Sequence, residues 1–135
     1  MNEHTIKIIF PQYMIDNCDL TKKEYDISIL LSDKTVGKWL DFTNYHHALD
    51  NNATILKSKS LESYIIFEKW INYVRKIGHN IADINIKITI DNIEIILLGA
   101  KIFEIGSINL SNEKDIDPIF EVLISAECSI IDMKK

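Results

Sequence analysis

The chain has 135 residues and a mass of 15.6 kDa, which fits a single domain spanning residues 1–135. Hydrophobic residues make up 47% and charged residues 26%, with a mean hydropathy of +0.01. That balance excludes a disordered tail, a collagen-like repeat and a Cys-stapled mini-protein. Fifteen Lys and Arg against twenty Asp and Glu leave a net charge of -5, and no basic run exceeds two residues, so no sequence-specific nucleic-acid binding is expected.

A chain of this size buries roughly two-thirds of its unfolded surface, enough for a core without metal or disulfide. Arg75 is the only arginine, and the 27 Ile and 11 Asn look like the product of an AT-rich coding sequence. Isoleucine therefore points to structure only where it is periodic. Pro and Gly are scarce, so element boundaries also come mainly from periodicity.

In chain order, Ile6, Ile8 and Phe10 alternate with polar neighbours from Thr5 onward, and Pro11 ends that strand. Tyr25, Ile27, Ile29 and Leu31 form a second half-buried alternation. The stretch from Asp33 to Asn52 fits a strand or a short helix equally well, and its Trp39, Phe42 and Tyr45 are candidate interface aromatics. Asn51-Asn52 marks a turn, followed by a short strand around Thr54 to Lys57.

From Ser60 to Ile77 four signals agree on a helix. Leu61, Tyr64, Ile65, Phe67, Ile71, Val74 and Ile77 recur at three- and four-residue steps, with Trp70 on the flank. Ser60 suits the N-cap, and Glu62 and Arg75-Lys76 suit the two poles of the helix dipole. Gly78 stands where a left-handed C-cap is wanted.

After the helix the period changes to two. Ile84, Ile86, Ile88 and Ile90 lead to a hairpin turn at Asp91-Asn92, and Ile93, Ile95 and Leu97 lead back. A short strand, Ser107 to Leu110, reaches the polar turn Asn112 to Pro118. The longest alternation is last: Phe120, Val122, Ile124, Ala126, Cys128 and Ile130. The expected fold class is α+β, an antiparallel β-sandwich or flattened barrel with one main amphipathic helix packed on it.

The residues do not spell an enzyme. His46 and His47 are neighbours that diverge on any regular element, and no His-Glu-x-x-His occurs, so no metal site is expected. Asp115-Ile116-Asp117 precedes Pro118 and reads as a turn. Gly99 and Gly106 match neither a dinucleotide fingerprint nor a P-loop, and no cofactor is expected. Cys18 and Cys128 follow no metal or redox spacing and read as reduced thiols. No secretory leader is recognised, and no stretch approaches the ~18 apolar residues of a membrane helix.

The run from Ile93 through Gly99-Ala100-Lys101-Ile102-Phe103-Glu104-Ile105-Gly106 to Leu110 continues past Ile116 into Phe120-Glu121-Val122-Leu123-Ile124. It resembles the C-terminal half of tail-tube proteins from contractile-tailed bacteriophages and related injection systems. Upstream, Phe67-Glu68-Lys69-Trp70 sits like the family's aromatic-x-x-Trp helix step, so the resemblance covers residues 61 to 131.

The resemblance makes Gly99, Phe103, Gly106, Leu110, Phe120 and Val122 the fold-motif residues, with Phe103 and Phe120 anchoring the sheet against the helix. It implies a ring, typically six-membered, of copies of this chain in a virion tail assembled in the bacterial cytoplasm. Other tail, neck or baseplate proteins would be the further partners, and DNA or cargo would pass through the conduit. Glu121, Ser125 and Glu127, opposite the apolar face of the last strand, are the candidate lumen or interface residues. The alternative expectation is a small intracellular binding module, such as an immunity or adaptor protein.

Overall fold

The computed structural model describes residues 2–31, 54–81, 83–90, 93–108, 119–126 and 128–133. The elements are β1 (Asn2–Ile9), α1 (Gln12–Asn17), β2 (Glu24–Leu31), β3 (Thr54–Ser58), α2 (Leu61–Ile77), β4 (Ile84–Ile90), β5 (Ile93–Ile108), β6 (Ile119–Ser125) and β7 (Cys128–Met133). All strand pairings are antiparallel, in the order β4-β1-β2-β3-β6-β5-β7, and β4 also pairs with β5. That last pairing closes six strands into a barrel, so the α+β expectation holds and its sheet is a barrel rather than a sandwich.

Alternation explains the core directly. Ile6, Ile8, Ile27, Ile29, Leu31, Ile84, Ile86, Ile88, Ile95, Leu97, Val122 and Ile124 are all buried in one cluster. Their polar neighbours occupy the outer face, where Lys7 lies 3.6 Å from Glu24 and 4.0 Å from Asp26. A strand repeats every two residues, so one apolar face per strand is what a filled small barrel needs.

Among the described residues, β2 and β3 pair at Leu30 and Lys57. α2 packs against β2 and β5. Its Ser63 hydroxyl donates to the Ser28 carbonyl at 3.4 Å, and Ser58 donates to the same oxygen at 2.7 Å. Two buried serines thus serve one β2 carbonyl, which explains polar side chains in the core. At the far end, the Asn80 amide donates to the Ile102 carbonyl on β5 at 2.9 Å.

The helix ends follow the sequence. Ser60 Oγ accepts from the Ser63 N–H at 3.2 Å, and Gly78 is left-handed at φ +80°. Its buried face is nevertheless rotated from the expected one. Ser63, Ile66, Phe67, Trp70 and Ile71 are buried, while Leu61 is 73% and Ile65 44% exposed. Trp70 lies at the centre instead of the flank, edge-on to Phe10 at 6.0 Å and stacked on Phe67 at 6.3 Å. The largest ring takes the deepest position, and the aliphatic ridge is turned outward to allow it.

β5 corrects another expectation. It is one sixteen-residue strand through Gly99 and Gly106, where a strand, a turn and a second short strand were expected. Its inward side chains run Ile95, Leu97, Ala100, Ile102 and Ile105, with two steps of three among steps of two. Each three-residue step is a β-bulge. Against β4 the register slips between Ile84↔Ala100 and Ile86↔Leu97, with Gly99 at φ +65° and its N–H 3.4 Å from Asn85 Oδ1. Against β6 it slips between Ile102↔Ile124 and Glu104↔Leu123, leaving Phe103 as the extra residue.

Gly99→Ala therefore forces a side chain into the left-handed region inside a strand. A loss of about 1–2 kcal/mol is expected from that strain, read as a lower denaturant midpoint at unchanged slope.

β6 and β7 share one register on β5, from Lys101↔Ser125 through Leu98↔Cys128 to Ile93↔Met133. The expected last strand is thus one line of pairing interrupted between Ser125 and Cys128. α1, tucked after Pro11, was not expected at all. It is six residues long, too short for a helical period to show, and is held by burial of Met14.

Candidate functional site

An open groove of about 430 Å³ is lined by residues of β3, β5 and β6, including Ile105, and by Arg75 from the C-terminal half of α2. Ile55 and Leu123 are cross-strand partners that supply its apolar floor, and Glu104 pairs with Leu123 on the next strand. Gly106 faces Glu121 in the following row, where a Cβ would meet no atom within 4 Å, so the groove is open at that point. Arg75 from α2 contributes the cationic rim.

Charge is distributed unevenly around this groove. Glu121 Oε1 is 3.6 Å from Lys57 Nζ, one row from the Ile55–Leu123 pair. Arg75 and Glu104 are exposed, and neither has an ion-pair partner among the described residues. The site combines an apolar strip with separated charges of both signs, a composition suited to holding a side-chain surface. It offers no nucleophile and base within reach of each other. Among the described residues there is also no group of three or more His, Cys, Asp or Glu able to hold a metal ion.

The residues singled out from the sequence separate in space. Phe120 is buried, with its ring 5.3 Å from Tyr64 and 6.0 Å from Phe67, and so ties β6 to α2. Phe103 does not anchor the helix: the bulge turns it outward, and it is 48% exposed. Val122 lies in the core, while Glu121 and Ser125 are half-buried on the other side of the strand. Gly99 forms the first bulge and Gly106 the groove. Trp39, Phe42, Tyr45, Leu110, Asp115, Asp117 and Glu127 lie outside the described residues. Arg75 was read only as a helix-pole residue; its being the sole arginine was the available signal.

A second depression of about 420 Å³ lies over the outer face of β1, β2, β4 and β5. It is lined by Lys7, Lys87, Glu24 and Asp26 with Thr5 and Thr89, and two of its acids already neutralise Lys7. Apart from the buried Ile6 its lining is polar, in contrast to the Ile55–Leu123 wall.

Tyr13 and Cys18 are among the ionisable groups displaced from their ordinary values. Burial, and then a hydrogen bond donated to Asp83 at 2.8 Å, push Tyr13 up to about 12. Burial pushes the half-buried Cys18 thiol up, opposed by Lys76 and Lys69, which leaves it mostly protonated and unreactive at neutral pH.

A raised tyrosine pKa favours the folded state while the phenol is protonated. This contribution is complete below pH 10 and is lost as pH rises toward 12. Denaturation midpoints measured across that window should fall more steeply for the native chain than for Tyr13→Phe; equal slopes would deny the Asp83 contact a role.

No helix among the described residues is long and apolar enough to cross a membrane. In comparisons with known proteins, no family model matches the chain and no curated protein matches it.

Proposed function

We propose that this chain is a structural ring protein of a contractile-tail type, in which copies join around a conduit for DNA or cargo. The observation that carries this reading is the outer edge of β7. Among the described residues this six-residue strand is paired with β5 and has no strand partner on its other side. A strand edge without a partner invites another strand, and identical copies are the simplest source of one.

The barrel with one long helix, the Phe67–Trp70 step packed into its core and the sequence resemblance over residues 61 to 131 support the same reading. A net charge of -5 supports passage of DNA without adhesion. Tail, neck or baseplate proteins would be the neighbouring layers.

Light scattering on the purified chain over rising concentration, with negative-stain imaging of any large species, tests it. A closed six-membered ring of about 94 kDa (6 × 15.6 kDa) is the expected product. A chain that stays monomeric at every concentration and on preformed tail assemblies would sink the ring reading. The exposed apolar groove favours the second reading, a small binding module, which would require a different chain as partner.

A further inference from the structure

The large apolar side chains exposed among the described residues are Ile55, Phe103, Leu61 and Ile65. They fall into two groups of opposite shape. Ile55 belongs to the groove floor, and Phe103 stands at the bulge next to Glu104 on the same wall. Leu61 and Ile65 are one helical turn apart, so they form a ridge on the solvent side of α2 near its N-terminus.

The charges beside them are also opposite. Arg75 rims the groove without an ion-pair partner among the described residues; of the two carboxylates in the same lining, Glu121 is paired with Lys57 and Glu104 is unpaired among them. Glu62, in the first turn beside the ridge, is exposed and has no cationic partner among them.

One molecule does not fill its own groove with its own ridge. Ile65 and Arg75 are ten residues apart on the same rigid helix, a separation of about 15 Å at 1.5 Å per residue. Ridge and groove therefore meet only between molecules. The Lys7–Glu24–Asp26 wall, by contrast, offers mainly charge and threonine.

We propose that the groove receives the Leu61–Ile65 ridge of a second copy, with Glu62 of that copy placed against Arg75. This rests on the ring reading and names its lateral contact. It also moves Glu121, whose carboxylate is one row from the groove floor, to the interface and away from the lumen.

The test uses four full-length single variants, each at an exposed position, and one double variant, with circular dichroism and thermal melting to verify folding. Leu61→Glu removes the ridge but keeps the groove; Ile55→Glu does the reverse. Each alone should weaken self-association by at least about tenfold. An equimolar mixture of the two should recover one intact contact and give a species of about 31 kDa (2 × 15.6 kDa). Glu62→Arg and Arg75→Glu should each weaken assembly, and the chain carrying both should regain it.

Variants that assemble like the native chain, or a mixture that stays monomeric, would overturn the contact. The ring reading is judged separately. Rings that survive all four substitutions sink the contact alone, whereas a native dimer abolished by them supports the contact and sinks the ring. A native chain monomeric throughout sinks both.

Discussion

Trp70→Ala is expected to cost about 3–5 kcal/mol of folding stability, the range for a large aromatic removed from a closed core. Trp70 is fully buried, edge-on to Phe10 at the end of β1 and stacked on Phe67 within its own helix. It therefore joins α2 to the end of β1. A protein of this class holds about 5–15 kcal/mol in total, so the substitution removes a large part of it.

Trp70→Phe should cost far less. The indole N–H is buried without an acceptor among the described residues, so phenylalanine forfeits some packing but removes an unsatisfied donor. Urea denaturation followed by circular dichroism reads both. A Trp70→Ala loss below 1 kcal/mol would mean that the helix is not part of the cooperative core.

The second large effect separates two phenylalanines that look alike in sequence. Phe120→Ala should lose about 3–5 kcal/mol, because its buried ring meets both Tyr64 and Phe67 across the β6–α2 seam. Phe103→Ala should change stability by about 0.5 kcal/mol or less, since its ring is 48% exposed at a bulge. The same denaturation curves decide it. Equal losses at the two sites would contradict the outward placement of Phe103.

These paired cases mark how much of the molecule is legible from residue order. β1, β2, β3, β4 and α2 follow from their periods within a residue or two at most ends, because each presents one apolar face and local alternation records it. The α2 caps follow as well: a serine that accepts from the first turn and a glycine at positive φ are local chemistry. β5 was misread for a definite reason. Its apolar spacing breaks step at 97–100 and 102–105, and in isolation a broken alternation looks like a turn.

Of the groove residues, the sequence points to Gly106 and Glu121 for other reasons, and not to Ile55, Leu123, Glu104, Ile105 or Arg75 as site residues. They come from four elements spread over 69 residues, from Ile55 to Leu123, and acquire meaning only when β3, β6 and β5 lie side by side.

The sequence by itself determined the antiparallel barrel-forming alternation, the helix with its two caps, and an acidic surface without a basic stripe. Those properties depend on neighbours within a few positions, where backbone geometry and side-chain polarity act directly. Only the tertiary structure decided that the barrel closes through β4 and β5, that two bulges keep a sixteen-residue strand in phase, and that Trp70 displaces Leu61 and Ile65 from the buried face. Those choices are settled by competition among distant segments for one enclosed volume, which the largest side chains win.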